Sequence, residues 1–425
     1  MQRWIAAVAL LFVAAAPSER ERAEHALSRL SFGARPGDVE RVMSLGVDRW
    51  IDQQLHPERI DDRVVAARVA RFEKAVEVPS RESLQKDRQM ARRTARKAVA
   101  DVSAQRILRA AESERQLNEV MVDFWMNHFN VFAAKGLDRY LVGSYERETI
   151  RPRVWGRFED LLMATAKSPA MLFYLDNFRS RSGALNENYA RELMELHTVG
   201  VDAGYSQKDV TELARVFTGW SIDRPVNGAV AFRFRRFAHD SGAKTVLGVR
   251  LQGGMDEGER MIRFLARHPA TAKHIATKLC IRLVSDEPSP ALVERVAKRF
   301  RDTNGDLRAT VKAVLDSPEF WSSRGAKVKS PFEYAVSAIR AAGGTIDDPL
   351  PLARELRKMG EGLYLAQPPT GYPDDAESWS GSGATLARLD FVLALVHNKM
   401  PGVRVRASDA DALARTLGGK EFMRQ

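Results

Sequence analysis

Two stretches of this chain hold residue types that can move a proton or grip an anion. The first, Gly183–Trp220, reads GALNENYARELMELHTVGVDAGYSQKDVTELARVFTGW and gathers Asn188, Arg191, Glu192, Glu195 and His197 in quick succession. Carboxylates can work as acid and base or bind a hard cation through oxygen, and an arginine can orient an anionic group. Glu192, Glu195 and His197 look like a metal box, but a regular helix separates them. At 100° per residue His197 falls roughly 160° from Glu195, on the face of Tyr189, Leu193 and Leu196. Asn188, Arg191, Glu192 and Glu195 share the other face.

The second stretch, Glu114–Phe132, reads ERQLNEVMVDFWMNHFNVF. Gln116, Glu119, Asp123, Asn127 and Asn130 fall in one narrow stripe of an otherwise apolar helix. Such a helix belongs inside a fold, where its stripe must be satisfied by protein, water or ligand. His128 lies on the apolar side and reads as a hydrogen-bonded core histidine rather than a ligand. The adjacent pair His239-Asp240 superficially resembles that of metal-dependent phosphohydrolases, but its place between two strand patterns favours a turn.

Two functional expectations follow. In the first the chain is an extracytoplasmic, cation-dependent hydrolase with a cleft between these two helices. Glu192, Glu195, Asp123 and Arg191 are then catalytic, and Asn127, Asn130, Asn188, His128 and His239 bind ligand. The carboxylates bind a divalent cation or serve as acid and base. In the second the chain is a non-catalytic binding or assembly factor. The bland reading of the Asn188–Glu195 face is an exposed surface with an Arg191–Glu195 ion pair worth a few tenths of a kcal/mol. No G-x-S-x-G elbow, P-loop, G-x-G-x-x-G or paired C-x-x-C occurs, which lowers the serine-hydrolase, nucleotide-binding and zinc-ribbon readings. The single cysteine, Cys280, sits in an apolar helix pattern and reads as a buried thiol.

The elements that position these residues are mostly helical. Asn186 suits a helix N-cap, Gly200 a left-handed C-terminal cap, and Ser206 with Asp209 a capping box for the next helix. Ser18 caps a helix to about Leu30, and Arg81–Ala111 forms a long helix rich in arginine and lysine. VAFRFRRF and KTVLGV are strand patterns, giving one hairpin near Val230–Val249 with AHDSGA at its tip. Amphipathic helices fill the remainder, and QPPTGYPDDAESW is a Pro/Gly-rich loop. The expected organisation is a mainly α assembly over 18–401, a signal peptide over 1–16, and a weakly structured tail over 402–425. The apolar run Trp4–Ala16, about 13 residues, is too short to span a bilayer stably and places the mature protein in the periplasm or outside the cell.

At 425 residues, 44% hydrophobic and 28% charged, the chain has the make-up of a folded protein with a sizeable core. Its net charge of +11 calls for a basic face, although no nucleic-acid module is recognisable.

FWMNHFNV, NENYARELMELHTVGVDAGYSQKDVTELARVFTGW, HDSGAKTVLG, HPATAKHIATKL and PPTGYPDDAESW, in that order, resemble the bacterial domain-of-unknown-function 1800 family. The resemblance runs from about His25 to Asn398. It implies an exported, mostly helical protein with no established reaction. It also implies a partner, because members are often encoded beside a second exported family that looks like sulfatases or alkaline phosphatases.

Overall fold

The computed structural model describes residues 17–73, 78–80, 82, 86–223 and 230–425. The expected signal peptide over 1–16 lies outside the described residues. Among those described, the chain is mainly helical with three small two-stranded antiparallel sheets. No described helix is long and apolar enough to cross a membrane.

Local sequence sets several boundaries directly. Ser18 and Glu21 form a reciprocal capping box at the start of the helix Glu19–Leu30, which buries Ala23, Ala26, Leu27 and Leu30. The capping box of Ser206 and Asp209 opens the helix Gln207–Val216 in the same way. The long basic helix runs from Arg88 to Glu112, with Asp87 accepting from the Met90 amide at 2.8 Å. It is not a free arm, because its second half carries Val102, Ile107, Leu108 and Ala111 into the core.

The helix Gln116–His128 is buried as its pattern demands, with Leu117, Met121 and Trp125 fully enclosed. It lies in a continuous core that also takes in the helices Pro269–Leu283 and Pro331–Ala341.

Two π-helical segments interrupt the helices of this region, Tyr145–Ile150 and Leu193–His197. The second follows directly on the helix Asn188–Glu192, so the central segment is not one regular helix. Its wide turn closes through Thr198 Oγ1 donating to Leu193 O at 2.6 Å and the Gly200 amide donating to Met194 O at 3.0 Å. Gly200 holds φ +84°, and a Cβ there would come within 3.1 Å of His274 Nδ1. The glycine thus terminates the turn and lets the His274 ring approach.

The β-structure corrects the expected single hairpin. Ala231–Phe234 pairs backwards with Trp220–Asp223, and Lys244–Val246 pairs forwards with Val249–Leu251. The second turn falls at Leu247-Gly248, both left-handed at φ 47° and 79°, as a type I′ hairpin requires. KTVLGV therefore contains its own turn, and Ala238–Ala243 links two hairpins instead of tipping one.

The expected weak tail is also corrected. Ala410–Leu417 is helical, and the C-terminal residue is buried. Gln425 exchanges backbone hydrogen bonds with Lys327 at 2.9 and 3.2 Å and donates from Nε2 to Glu333 Oε1 at 3.0 Å. The polar tail is fixed because it satisfies buried groups on the Pro331–Ala341 helix.

Candidate functional site

Beside the Gln116–His128 helix lie an inner chamber and an outer cleft that share lining residues. The chamber is small, with room for about 50 Å³, and is lined by charged side chains from segments far apart in sequence. Arg106 comes from the long basic helix, Asp123 from Gln116–His128, and Arg282 from Pro269–Leu283. Glu361 and Asp374 come from the connection after Leu350–Lys358.

Most of these charges are already committed. Asp123 pairs with Arg106 through Oδ1 and with Arg282 through Oδ2 at 3.4 Å. The other arm of Arg282 reaches Glu333 at 2.6 Å. Despite burial, Arg282 holds the Glu333 carboxyl below the usual range. Lys327 lies 3.1 Å from Asp374 Oδ1 and 2.5 Å from Asp286 Oδ1. Burial nonetheless raises Asp374.

Glu361 differs. Its Oε2 accepts from the Phe332 amide at 2.7 Å, and among the described residues it makes no ion pair. Burial, reinforced by nearby Asp123, pushes its carboxyl up to about 8. It is therefore a neutral acid with an O–H to donate at neutral pH. No pattern around it in the sequence marks it; its status comes from the company it keeps in three dimensions.

A second buried network adjoins the chamber. Arg151 binds Glu119 at 2.7 and 2.9 Å and Glu146 at 2.7 Å, while Tyr364 donates to Glu146 at 2.5 Å. The π segment Tyr145–Ile150 places Glu146 for this contact. Glu119 of the polar stripe is thus consumed in structure.

The two stripe asparagines serve the adjoining loop. Asn127 donates to Tyr372 O at 2.8 Å and accepts from the Tyr372 amide at 2.7 Å. Asn130 donates to Ala366 O and Pro368 O at 3.0 and 2.8 Å. Gly371 lies so close to Asn127 that a Cβ would come within 2.3 Å of its Oδ1. The Pro/Gly-rich loop is thereby clamped onto the helix and forms a wall common to chamber and cleft.

The outer cleft encloses about 2000 Å³, open solvent included, between this loop and the Pro269–Leu283 helix. His128 and His274 line its inner side and His197 is buried next to them, with His128 centred 6.1 Å from both other rings. His128 Nε2 lies 3.3 Å from His197 O, and His274 Nε2 lies 3.0 Å from Leu196 O. Burial drives all three down, His197 to about 3, so they are neutral at neutral pH. Spacing along the chain could not bring out this trio, since His274 lies on a distant helix.

The expected catalytic face is only partly at this site. Glu195 lines the cleft, and Asn127 and His128 line it too. Asn188, Arg191 and Glu192 line neither space. Arg191 instead reaches Gln207 at 2.9 Å and two flanking acids, Glu187 at 3.4 Å and Glu195 at 3.5 Å. Glu192 is half-buried and raised by burial and by Glu195. Asn188 donates to Leu175 O at 3.4 Å.

His239 stands apart, beneath the two hairpins. Its Nδ1 lies 2.8 Å from Thr218 O and its Nε2 3.1 Å from Glu257 Oε1, an oxygen that Lys244 also approaches at 2.6 Å. Asp240 binds Arg215 through both oxygens at 2.8 and 3.1 Å. The pair therefore fastens the hairpins to the helix Gln207–Val216. Among the described residues no three His, Cys, Asp or Glu side chains stand close enough to hold a metal ion.

A family model described as "Protein of unknown function (DUF1800)" matches residues 25–425. No curated protein and no solved structure matches the chain.

Proposed function

The chain belongs to the DUF1800 family, and we propose that it is an acid–base hydrolase acting where the inner chamber opens into the outer cleft. One observation carries this reading. Of the carboxyls that line the chamber, Asp123 and Asp374 pair with cations, whereas Glu361 makes no ion pair among the described residues and burial pushes its carboxyl up to about 8. An unpaired buried acid beside a carboxyl that faces a cation is suitable equipment for paired acid and base work.

In the proposed step the body of the substrate lies in the outer cleft and inserts the scissile group into the chamber. The Glu361 carboxyl, whose Oε2 accepts from the Phe332 amide, gives its proton to the leaving atom. A water attacks from the side of Asp374, whose carboxylate takes the proton released. The bond to the leaving group breaks as the bond to the water oxygen forms, and proton exchange with solvent returns Glu361 to its acid form. Arg106 and Arg282 steady negative charge that develops there. Asp123 is a positioning residue here, holding both guanidinium groups in place.

The proposal includes export, motivated by the apolar run Trp4–Ala16 and its small-residue end. Cell fractionation with N-terminal sequencing tests this; an intact N-terminus in the cytoplasmic fraction contradicts it.

The catalytic part is tested by screening chromogenic esters, glycosides and phosphate esters with wild type, Glu361→Gln and Asp374→Asn. Turnover that both variants lose, with thermal stability retained, supports the assignment. Turnover unchanged in Glu361→Gln rejects it. The binding-factor alternative is favoured by Arg93 and Arg96, exposed on the basic helix without an ion pair among the described residues. Co-purification with a sulfatase- or phosphatase-like neighbour, lost in Arg93→Glu/Arg96→Glu, supports that role.

A further inference from the structure

A second concave site lies away from the chamber, where the start of the long basic helix meets the turn around Gly136. It is an open pocket of about 790 Å³, solvent included. Three guanidinium groups, Arg88, Arg92 and Arg139, line it, and no acidic residue does. Among the described residues none of the three makes an ion pair. Arg139 donates from one terminal nitrogen to Ala134 O at 2.9 Å, while its Nε is buried without a partner. Gathering three unneutralised cations at one concavity costs electrostatic energy that an anion would recover.

The remaining walls are apolar and fixed. Tyr140 is buried with its hydroxyl donating to Ala91 O at 2.8 Å, leaving the ring as a wall. Phe173 stacks on Phe178 with ring centroids 5.0 Å apart. Gly136, at φ +45°, lets the backbone pass so near that a Cβ would come within 2.8 Å of the Phe173 ring. Aromatic walls and three arginines lining one pocket match a ligand with a flat apolar part and a compact, multiply charged oxyanion.

We propose that this pocket is a binding site for an aryl or similarly flat phosphate monoester. The oxyanion is held by Arg88, Arg92 and Arg139, and the organic part rests on Phe173 and Tyr140. The site is separate from the proposed acid–base chamber and shares no lining residue with it.

The test is calorimetric titration of the full chain with phenyl phosphate and, separately, with inorganic phosphate. Phenyl phosphate is expected to bind more tightly than inorganic phosphate, with affinity falling as salt rises. Arg88→Gln/Arg92→Gln, both exposed positions, should weaken phenyl phosphate by roughly tenfold or more, since each lost charge-assisted hydrogen bond is worth about that factor. Phe173→Leu should weaken phenyl phosphate and leave inorganic phosphate unchanged. Glu361→Gln should bind as wild type does, which separates this site from the chamber. Saturable binding that the arginine pair does not affect, equal affinity for the two ligands, or no binding overturns the proposal.

Discussion

The Asn188–Glu195 face and the Glu361–Asp374 connection make opposite impressions as sequence and as structure. The first packs two acids, an arginine and an asparagine into eight residues, and its side chains largely answer one another: Arg191 is shared among Glu187, Glu195 and Gln207. The second reads as a turn-rich linker, yet it carries the one chamber carboxyl that makes no ion pair among the described residues and the carboxyl of Asp374 that lines both spaces. Chemical capacity depends on what remains unpaired after folding, and local density of polar residues does not measure it.

If the chamber is a buried, mutually dependent charge network and the Asn188–Glu195 face a solvated one, substitutions should separate them sharply. The largest effect is expected from Arg282→Met. It leaves Asp123 without one of its two cations and Glu333 without its 2.6 Å partner, so denaturant unfolding should show a loss of about 3–5 kcal/mol. Next comes Asn127→Ala, which strands the Tyr372 amide and carbonyl. A loss of about 1–3 kcal/mol is expected, with faster proteolysis within residues 366–374.

Glu361→Gln should act through pH. The folded carboxyl keeps its proton up to about 8 and the unfolded one releases it near 4.5. The folded state therefore binds more protons between those values, and wild-type stability falls as pH rises through that window. The variant removes this slope, which is at most about 1.4 kcal/mol per pH unit. Denaturation midpoints from pH 5 to 8 report it. The smallest effect belongs to the other region: Arg191→Ala should cost under about 0.5 kcal/mol, because its partners are screened by solvent. A loss from Arg191→Ala as large as that from Arg282→Met would erase the contrast.

Much of the fold was legible in the sequence, because caps and turns are local. Ser18, Ser206 with Asp209, and Gly200 each announced a boundary that the structure keeps. The buried character of Gln116–His128 was also readable from its nearly all-round apolar pattern. Features that depend on distant partners were not. KTVLGV hid a type I′ turn because Leu247 is an unusual residue for a left-handed backbone. The tail looked weak because its anchors, Lys327 and Glu333, lie some ninety residues upstream.

At the site, the polar stripe was correctly placed inside, but its members proved to be clamps and ion-pair partners. Glu361 and Arg282 went unnoticed, and His274 was not joined to His128, because no fixed spacing ties them to Asp123 or His128. The π turn at Leu193–His197 also breaks the regular helical phase from which the central segment was read.

The central claim is that Glu361 is a neutral acid in the folded chamber at neutral pH. Infrared difference spectroscopy of wild type against Glu361→Gln, recorded from pH 5 to 9, tests it most directly. The account predicts a protonated-carboxyl band present at pH 6, lost with a midpoint near 8, and missing from the variant. A Glu361 band already ionised at pH 6 would contradict it.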